Sequence, residues 1–299
     1  MKIIDAHMHF WDLEQNYLPW LCDPRPLENF RYGDYSALRR NYMPEDYRKD
    51  AEGFDVVGGV FVETEWDPSD PLGEISWVKG VAMRHGLPSV AVGQAFLDRV
   101  DAPGILAAYG ADPFVKGIRH KPRAAPRPDA VEAGARGSMG DPVWRQGYRH
   151  LGRNGLSFDL QTPWWHLGEA RALADDFGDT VIILNHTGLP ADRSPEGISA
   201  WRSALRLLAG APNVRIKISG IGIPGQDWLV EANREVVLTA IEIFGTGRAM
   251  FASNFPVDSL VARYRDIFNG FDVITSDLTG DERDDLFWRT ASRTYGVAV

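Results

Sequence analysis

The sequence predicts an α/β fold: a single, slightly distorted (β/α)8 barrel over residues 1–299, with long loops after strands one and four. Three observations predict it. Apolar, β-branched runs alternate with amphipathic stretches of helical spacing, the pattern of a parallel sheet with right-handed crossovers. Runs such as DVVGGVFVE, TVIILN and VRIKIS are almost continuously apolar or branched, as in strands buried on both faces. Eight such runs fit into 299 residues, the number and length of an eight-stranded barrel. An open doubly wound sheet fits less well, because it usually has fewer strands and no G-x-G-x-x-G opens the first helix.

The strands are expected at Lys2–Ile4, Val56–Val62, Ser89–Phe96, Val115–Ile118, Leu156–Leu160, Thr180–Leu184, Val214–Ile218 and Ala249–Phe251. Helices are expected at Leu72–Arg84, Pro142–Gly152, Leu167–Phe177, Ile198–Leu208, Trp228–Ile243 and Leu260–Asn269, with a closing helix at Asp281–Tyr295. Gly86, Gly178, Gly210 and Gly245 stand where helices should stop.

Composition narrows the function. Acidic residues outnumber basic ones, 41 to 32, which argues against nucleic acid as partner and against a polybasic membrane patch. No apolar run reaches the roughly 18 residues of a membrane span, and the N-terminus is too polar for a signal peptide. Cys22 is the single cysteine, so there is no internal disulfide framework and a reducing cytoplasm is the expected location. A homodimer is the base-rate expectation for assembly.

In such a barrel, chemistry sits where the strands end. Strand one leads into Asp5-Ala6-His7-Met8-His9, strand two into Glu63-Thr64-Glu65-Trp66, and strand three reaches Gln94. Strand four leads into Arg119-His120, strand five into Gln161, and strand six into Asn185-His186. Strand seven carries Lys217 and Ser219, and strand eight leads into Ser253-Asn254-Phe255-Pro256-Val257-Asp258. On a strand, His7 and His9 point to one side. Two converging neutral imidazoles suit a divalent metal or a polarised carbonyl.

The stretch DAHMHFWD (Asp5–Asp12) resembles the start of the amidohydrolase superfamily. Its Phe10-Trp11-Asp12 narrows the likeness to the amidohydrolase-related branch that includes sugar lactonases and 2-pyrone-4,6-dicarboxylate lactonase. GIRH (Gly117–His120), LSFDLQ (Leu156–Gln161), NHTGLP (Asn185–Pro190) and FASNFPVD (Phe251–Asp258) match in order along the chain. The resemblance implies a (β/α)8 barrel and hydrolysis at a carbonyl, often of a lactone. It also implies a site of first-strand histidines, a later-strand histidine and an eighth-strand carboxylate.

At that last position this sequence departs, with Asn254 where such proteins typically carry Asp. An amide is not a general base at neutral pH, so Glu63 or Asp258 is the expected replacement, Glu63 being favoured as metal ligand or base. His7, His9, His186 and Glu63 would make four ligands for one Zn²⁺ or Mn²⁺. No bridging lysine is evident on strand four, which argues against a second metal. Without metal, the histidines would polarise the carbonyl directly.

The expected substrate is a small anion. Arg119, with His120 beside it, is the first candidate for a carboxylate contact and Lys217 the second. The loop beyond carries Lys121, Arg123, Arg127 and Arg136. Trp11, Trp66, Trp164 and Trp165 follow strand ends, and the long segment Asp12–Tyr47 adds Tyr17, Trp20, Tyr32 and Tyr35 as pocket walls or lid. The reading is a lactone hydrolase without organic cofactor. The alternatives are a decarboxylase-like lyase on the same barrel and a binding protein that has lost its base at Asn254.

Overall fold

The structure is a computed structural model and describes residues 1–28 and 30–299. Eight strands form one sheet in chain order, each parallel to the next: β1 (Lys2–Met8), β2 (Asp55–Val62), β3 (Val90–Gln94), β4 (Val115–Arg119), β5 (Ser157–Leu160), β6 (Ile182–Leu184), β7 (Val214–Ile218) and β8 (Ala249–Phe251). The ring closes beyond β8. Asn254 donates its backbone N–H to the His7 carbonyl at 2.9 Å, and His9 donates to the Phe255 carbonyl at 2.8 Å. The seam of this (β/α)8 barrel is therefore made by the histidine pair and the segment after β8.

Helices follow the strands: α1 (Pro44–Asp50), α2 (Pro71–His85), α3 (Ala102–Ala111), α4 (Pro142–Tyr148), α5 (Leu167–Asp176), α6 (Pro195–Ala209), α7 (Val230–Phe244) and α8 (Tyr264–Ile274). α6 shows why. Ser194 caps it by accepting from Gly197 N–H, and proline stands in its first turn. Ile198, Trp201, Leu205 and Leu208 then recur at helical spacing and are buried against the sheet. Each fully buried side chain of this kind contributes about 1.5–3 kcal/mol. α2 is capped by Asp70 and ends at Gly86, whose φ of +71° is the left-handed stop a glycine makes easily.

Alternation along the strands makes two cores. One lies between sheet and helices and takes Phe61, Ile118, Phe158, Ile216 and Phe251. The other fills the barrel with Ile4, Ala6, Val60, Val62, Val92, Ile183 and Met250. A register irregularity in β1 between Asp5 and Met8 breaks strict alternation just before the site.

Several boundaries differ from the sequence reading. β1 continues to Met8 because Asp5 is satisfied there, by Ser253 N–H at 2.9 Å and the Tyr47 hydroxyl at 2.9 Å. The helix expected from Leu260 begins at Tyr264, after a short 3-10 turn at Val257–Leu260. The Pro142–Gly152 stretch divides at Arg149. The periodicity does not predict α3, because Pro103, Gly104 and Gly110 weaken its helical signal; burial of Ile105, Leu106 and Tyr109 makes it form. The closing stretch is helical throughout but contains a π-turn at Asp285–Arg289. No helix among the described residues is long and apolar enough to cross a membrane.

Candidate active site

The ends of β1, β2, β4, β5, β6 and β8 meet around one cavity. His7 and His9 face the same side, with ring centroids 4.9 Å apart, and His186 stands 4.7 Å from His7. All three are buried. Burial holds His7 and His186 well below the usual imidazole range, and burial with the Arg119 charge lowers His9 to about 3. They are neutral imidazoles at neutral pH.

Backbone strain gathers at the same place. Among the described residues, Glu65, His186, Thr187, Leu189 and Asn254 are the non-glycine residues with left-handed φ, between 53° and 57°. Glu65, His186, Leu189 and Asn254 all line one cavity of about 290 Å³. Strain of this kind, costing about 1–3 kcal/mol per residue, persists where the surroundings over-determine it, and it clusters at functional sites.

Asn254 is held in one orientation. Its Nδ2 donates to Asp258 Oδ1 at 2.6 Å, which turns Oδ1 toward His9 Nε2, 3.3 Å away. His9 Nδ1 lies 2.8 Å from the Val62 carbonyl, a contact only a protonated nitrogen satisfies, so Nε2 carries the lone pair. Two acceptors thus face each other, an arrangement that a water donating to both would complete. Asp258 also accepts from the Tyr32 hydroxyl at 3.0 Å, and burial raises its pKa above the ordinary carboxylate value. It stands behind Asn254 and is absent from the cavity wall.

Glu63, the favoured ligand or base, is turned to Arg119. The guanidinium Nε donates to Glu63 Oε1 at 2.5 Å and Nη2 to the Glu63 carbonyl at 2.7 Å. The other carboxylate oxygen accepts from Glu65 N–H at 2.7 Å and from Gln94 at 3.3 Å. Arg119 Nη1 reaches Gln161 at 3.2 Å and lies 3.4 Å from His7 Nε2. A buried arginine needs such a partner, so Arg119 lines the cavity as half of an internal ion pair.

The set His7, His9, His186 and Glu63 is therefore not assembled around a metal. Among the described residues no three His, Cys, Asp or Glu side chains are arranged to hold one. Glu63 faces a fixed cation, and that cation stands beside His7. The donors present do not fit the four-ligand Zn²⁺ or Mn²⁺ centre expected from the sequence.

Lys217 does not reach the cavity; it is buried, donating to Asp159 Oδ1 at 2.5 Å under the Tyr295 ring. His120 Nδ1 accepts from Leu97 N–H and from Trp144 Nε1, each at 3.1 Å, and burial lowers its pKa to about 4. It borders a second, adjoining cavity of about 310 Å³ with Trp66. Trp11 and Trp20 line the first cavity; Trp20 donates to the Thr64 carbonyl at 2.8 Å. The segment 12–47 thus contributes a wall, with Leu27, Glu28, Phe30 and Arg31 beside them. Of the basic residues after β4, Lys121 lines both cavities and pairs with Glu65. Arg127 is exposed on Asp129, and neither Arg123 nor Arg136 lines a cavity wall described here. Sequence reasoning missed Arg31, which lies in an irregular loop without periodicity.

The comparisons agree with this architecture. A protein described as the uncharacterized protein y4mH of Sinorhizobium fredii is 41% identical over 99% of both chains. An L-fucono-1,5-lactonase of Burkholderia ambifaria is 27% identical over 88% of this chain and 83% of its own. The solved structure of an amidohydrolase from Burkholderia multivorans with bound zinc superposes with a TM-score of 0.80 over the whole of both chains, at 23% identity. A divalent metal is typical of that superfamily, and zinc is bound in that relative. The family model described as amidohydrolase matches residues 4–297, and this chain therefore belongs to the amidohydrolase family of hydrolases.

Proposed function

We propose that the protein hydrolyses a small carboxylated lactone by water attack on the ester carbonyl. The observation that carries this reading is the pair of facing acceptors, His9 Nε2 and Asn254 Oδ1, at a cavity walled by cations and aromatic rings. A water donating to both would present its lone pair to a bound carbonyl, and His9 Nε2 would take its proton as negative charge builds on the carbonyl oxygen. That charge raises the basicity of a ring that burial and Arg119 otherwise hold at about 3. Asn254 needs no basicity for this. Asp258 locks its amide so that an oxygen, not a nitrogen, faces the water.

The oxyanion would form near His186 and Arg119. His186 Nδ1 lies 2.9 Å from Ser219 Oγ. With the hydroxyl donating to Nδ1, Nε2 bears a proton and can donate to the developing charge. Arg119, fixed by Glu63 and Gln161, adds a positive field that needs no rearrangement. His9, once protonated, returns its proton to the leaving alkoxide as the ester bond breaks. Trp11, Trp20 and Phe30 suit the apolar face of a ring. The L-fucono-1,5-lactonase relative supports the lactone class.

The test is turnover on a panel of sugar lactones, pyrone carboxylates and carboxylated γ-lactones, followed by proton release. Ring opening without CO₂ supports the reading. CO₂ release with the ring intact replaces it with the lyase, and tight binding without turnover replaces it with the binding protein. Dialysis against a chelator should leave ring opening within threefold; loss restored by zinc would mean that the histidines close on a metal after all.

A further inference from the structure

Beside the catalytic cavity lies another of about 260 Å³, which shares Arg31 and Leu189 with it. Its walls include Tyr32, Trp165, Pro190, Arg193 and the Gly220–Pro224 loop after β7. Two guanidinium groups border this space, and neither forms an ion pair among the described residues, although the Asp258 carboxylate acts on Arg31 from the far side of the Tyr32 hydroxyl. Arg31 bonds through Nη2 to the Gly220 carbonyl and the Tyr32 hydroxyl. Arg193 bonds through Nη2 to the Ile221 carbonyl at 2.8 Å, while its Nε and Nη1 are buried without any partner. The carboxylate that acts on Arg193 from a distance, Glu235, is engaged by Arg202 at 3.0 Å. Burial pushes the Arg193 pKa down to about 10.

Arg193 is half-buried, but its Nε and Nη1 are shut away from solvent. N–H donors of a cation left unmet in this way are costly, and the usual remedy is an anion that accepts from them. The planar fork of a guanidinium matches a carboxylate. The space also touches the chemistry. A Cβ placed on Gly220 would lie 2.6 Å from His186 Nδ1 and 3.0 Å from Arg31 Nη2, so His186 and Arg31 face each other across that glycine. Meanwhile Arg119, Lys121 and Lys217 already have carboxylate partners in Glu63, Glu65 and Asp159. The cations left for a substrate are Arg31 and Arg193.

We propose that this cavity is the subsite for a carboxylate on the substrate, at the end remote from the scissile ester, held by Arg193 with Arg31 as its second contact. Ile221, Ile223 and Pro224 of the loop, with Trp165, take the carbon skeleton next to it. This inference rests on the lactonase reading for the identity of the ligand, but its binding step can be measured without turnover.

The first arm is isothermal titration of the whole protein, wild type, Arg193→Met, Arg193→Lys and Arg31→Gln, with glutarate and with its monomethyl ester. Wild type should bind the dicarboxylate at least 10-fold more tightly than the monoester. Arg193→Met should reduce that preference below threefold, with Arg193→Lys restoring part of it and Arg31→Gln lying between. A wild type with no preference, or a preference that survives in a folded Arg193→Met protein and in Arg31→Gln, overturns the subsite. The second arm compares kcat/KM for a carboxylated γ-lactone with that for its methyl ester. The ratio should fall at least 10-fold in Arg193→Met, through KM. Failure of every protein to open either lactone sinks the lactonase reading alone, and the titration still decides the subsite.

Discussion

Two polar clusters lie inside the barrel, and they are finished to different degrees. In the lower one, Asp159 accepts from Lys217 at 2.5 Å, Asn185 at 2.9 Å and the Tyr295 hydroxyl at 2.9 and 3.0 Å. Its two charges cancel and no cavity described here opens onto them. In the upper one, His7 Nδ1 has no partner, His9 and Asn254 oppose two acceptors, and the backbone is strained at Glu65, His186, Leu189 and Asn254. Buried polar groups in a native protein are normally satisfied. The first cluster has its charges paired away from any cavity, with only the Asn185 Oδ1 left without a partner, and is a structural member; a cluster left open beside a cavity is arranged for something that comes and goes.

The sharpest way to break that comparison is His186→Asn. It should lower kcat for lactone opening at least 10³-fold while the circular dichroism spectrum and melting temperature stay near wild type. Retained turnover would remove His186 from the chemistry. Asp159→Ala should do the reverse. It leaves Lys217 buried without its partner, and urea unfolding should show a loss of about 3–5 kcal/mol. A loss below about 1 kcal/mol would mean that the lower network carries little of the fold.

Gly220→Ala sharpens the boundary between the two. The position has φ +58°, and the new methyl would press on His186 and Arg31. Strain at such a site costs about 1 kcal/mol or more, and displacement of His186 should reduce kcat/KM by about 10–100-fold. An unchanged rate would show that the two side chains have room to retreat.

The smallest effect concerns Glu74, which supports the upper cluster from outside. Its Oε1 accepts from Thr64 N–H and from the Thr64 hydroxyl, each at 2.7 Å, and its Oε2 has no partner. Burial, then the Glu63 charge, raise its pKa to about 8. The folded state holds a proton that the unfolded state releases near 4.5. Its contribution to stability is therefore full below pH 4.5 and is lost as pH rises toward 8. In paired melts, the stability of wild type relative to Glu74→Gln should decline across that window. A constant difference would show that Glu74 is ionised in the folded protein.

Much of this was legible in the chain. The H-x-H of His7 and His9 on a strand predicts two rings on one side, and the 4.9 Å separation of those rings follows from it. Position at strand ends likewise brought His186, Arg119 and Asn254 to the cavity. The partners of the charges were less legible. The place of Lys217 near a strand end predicts an anion contact, but Asp159, 58 residues away, engages it first. Glu63 was read as a ligand, and Arg119, 56 residues on, turns it aside.

The barrel, the order of its strands and the end at which its chemistry gathers are written in the chain, because they depend on local periodicity and on the two-residue repeat of an extended strand. Which buried charges cancel, which way the Asn254 amide faces, and that Arg31 meets the Gly220 carbonyl across 189 residues of chain are settled by the folded packing. Those choices depend on ångström distances between side chains far apart in sequence, and on the cost of leaving any one of them buried without a partner.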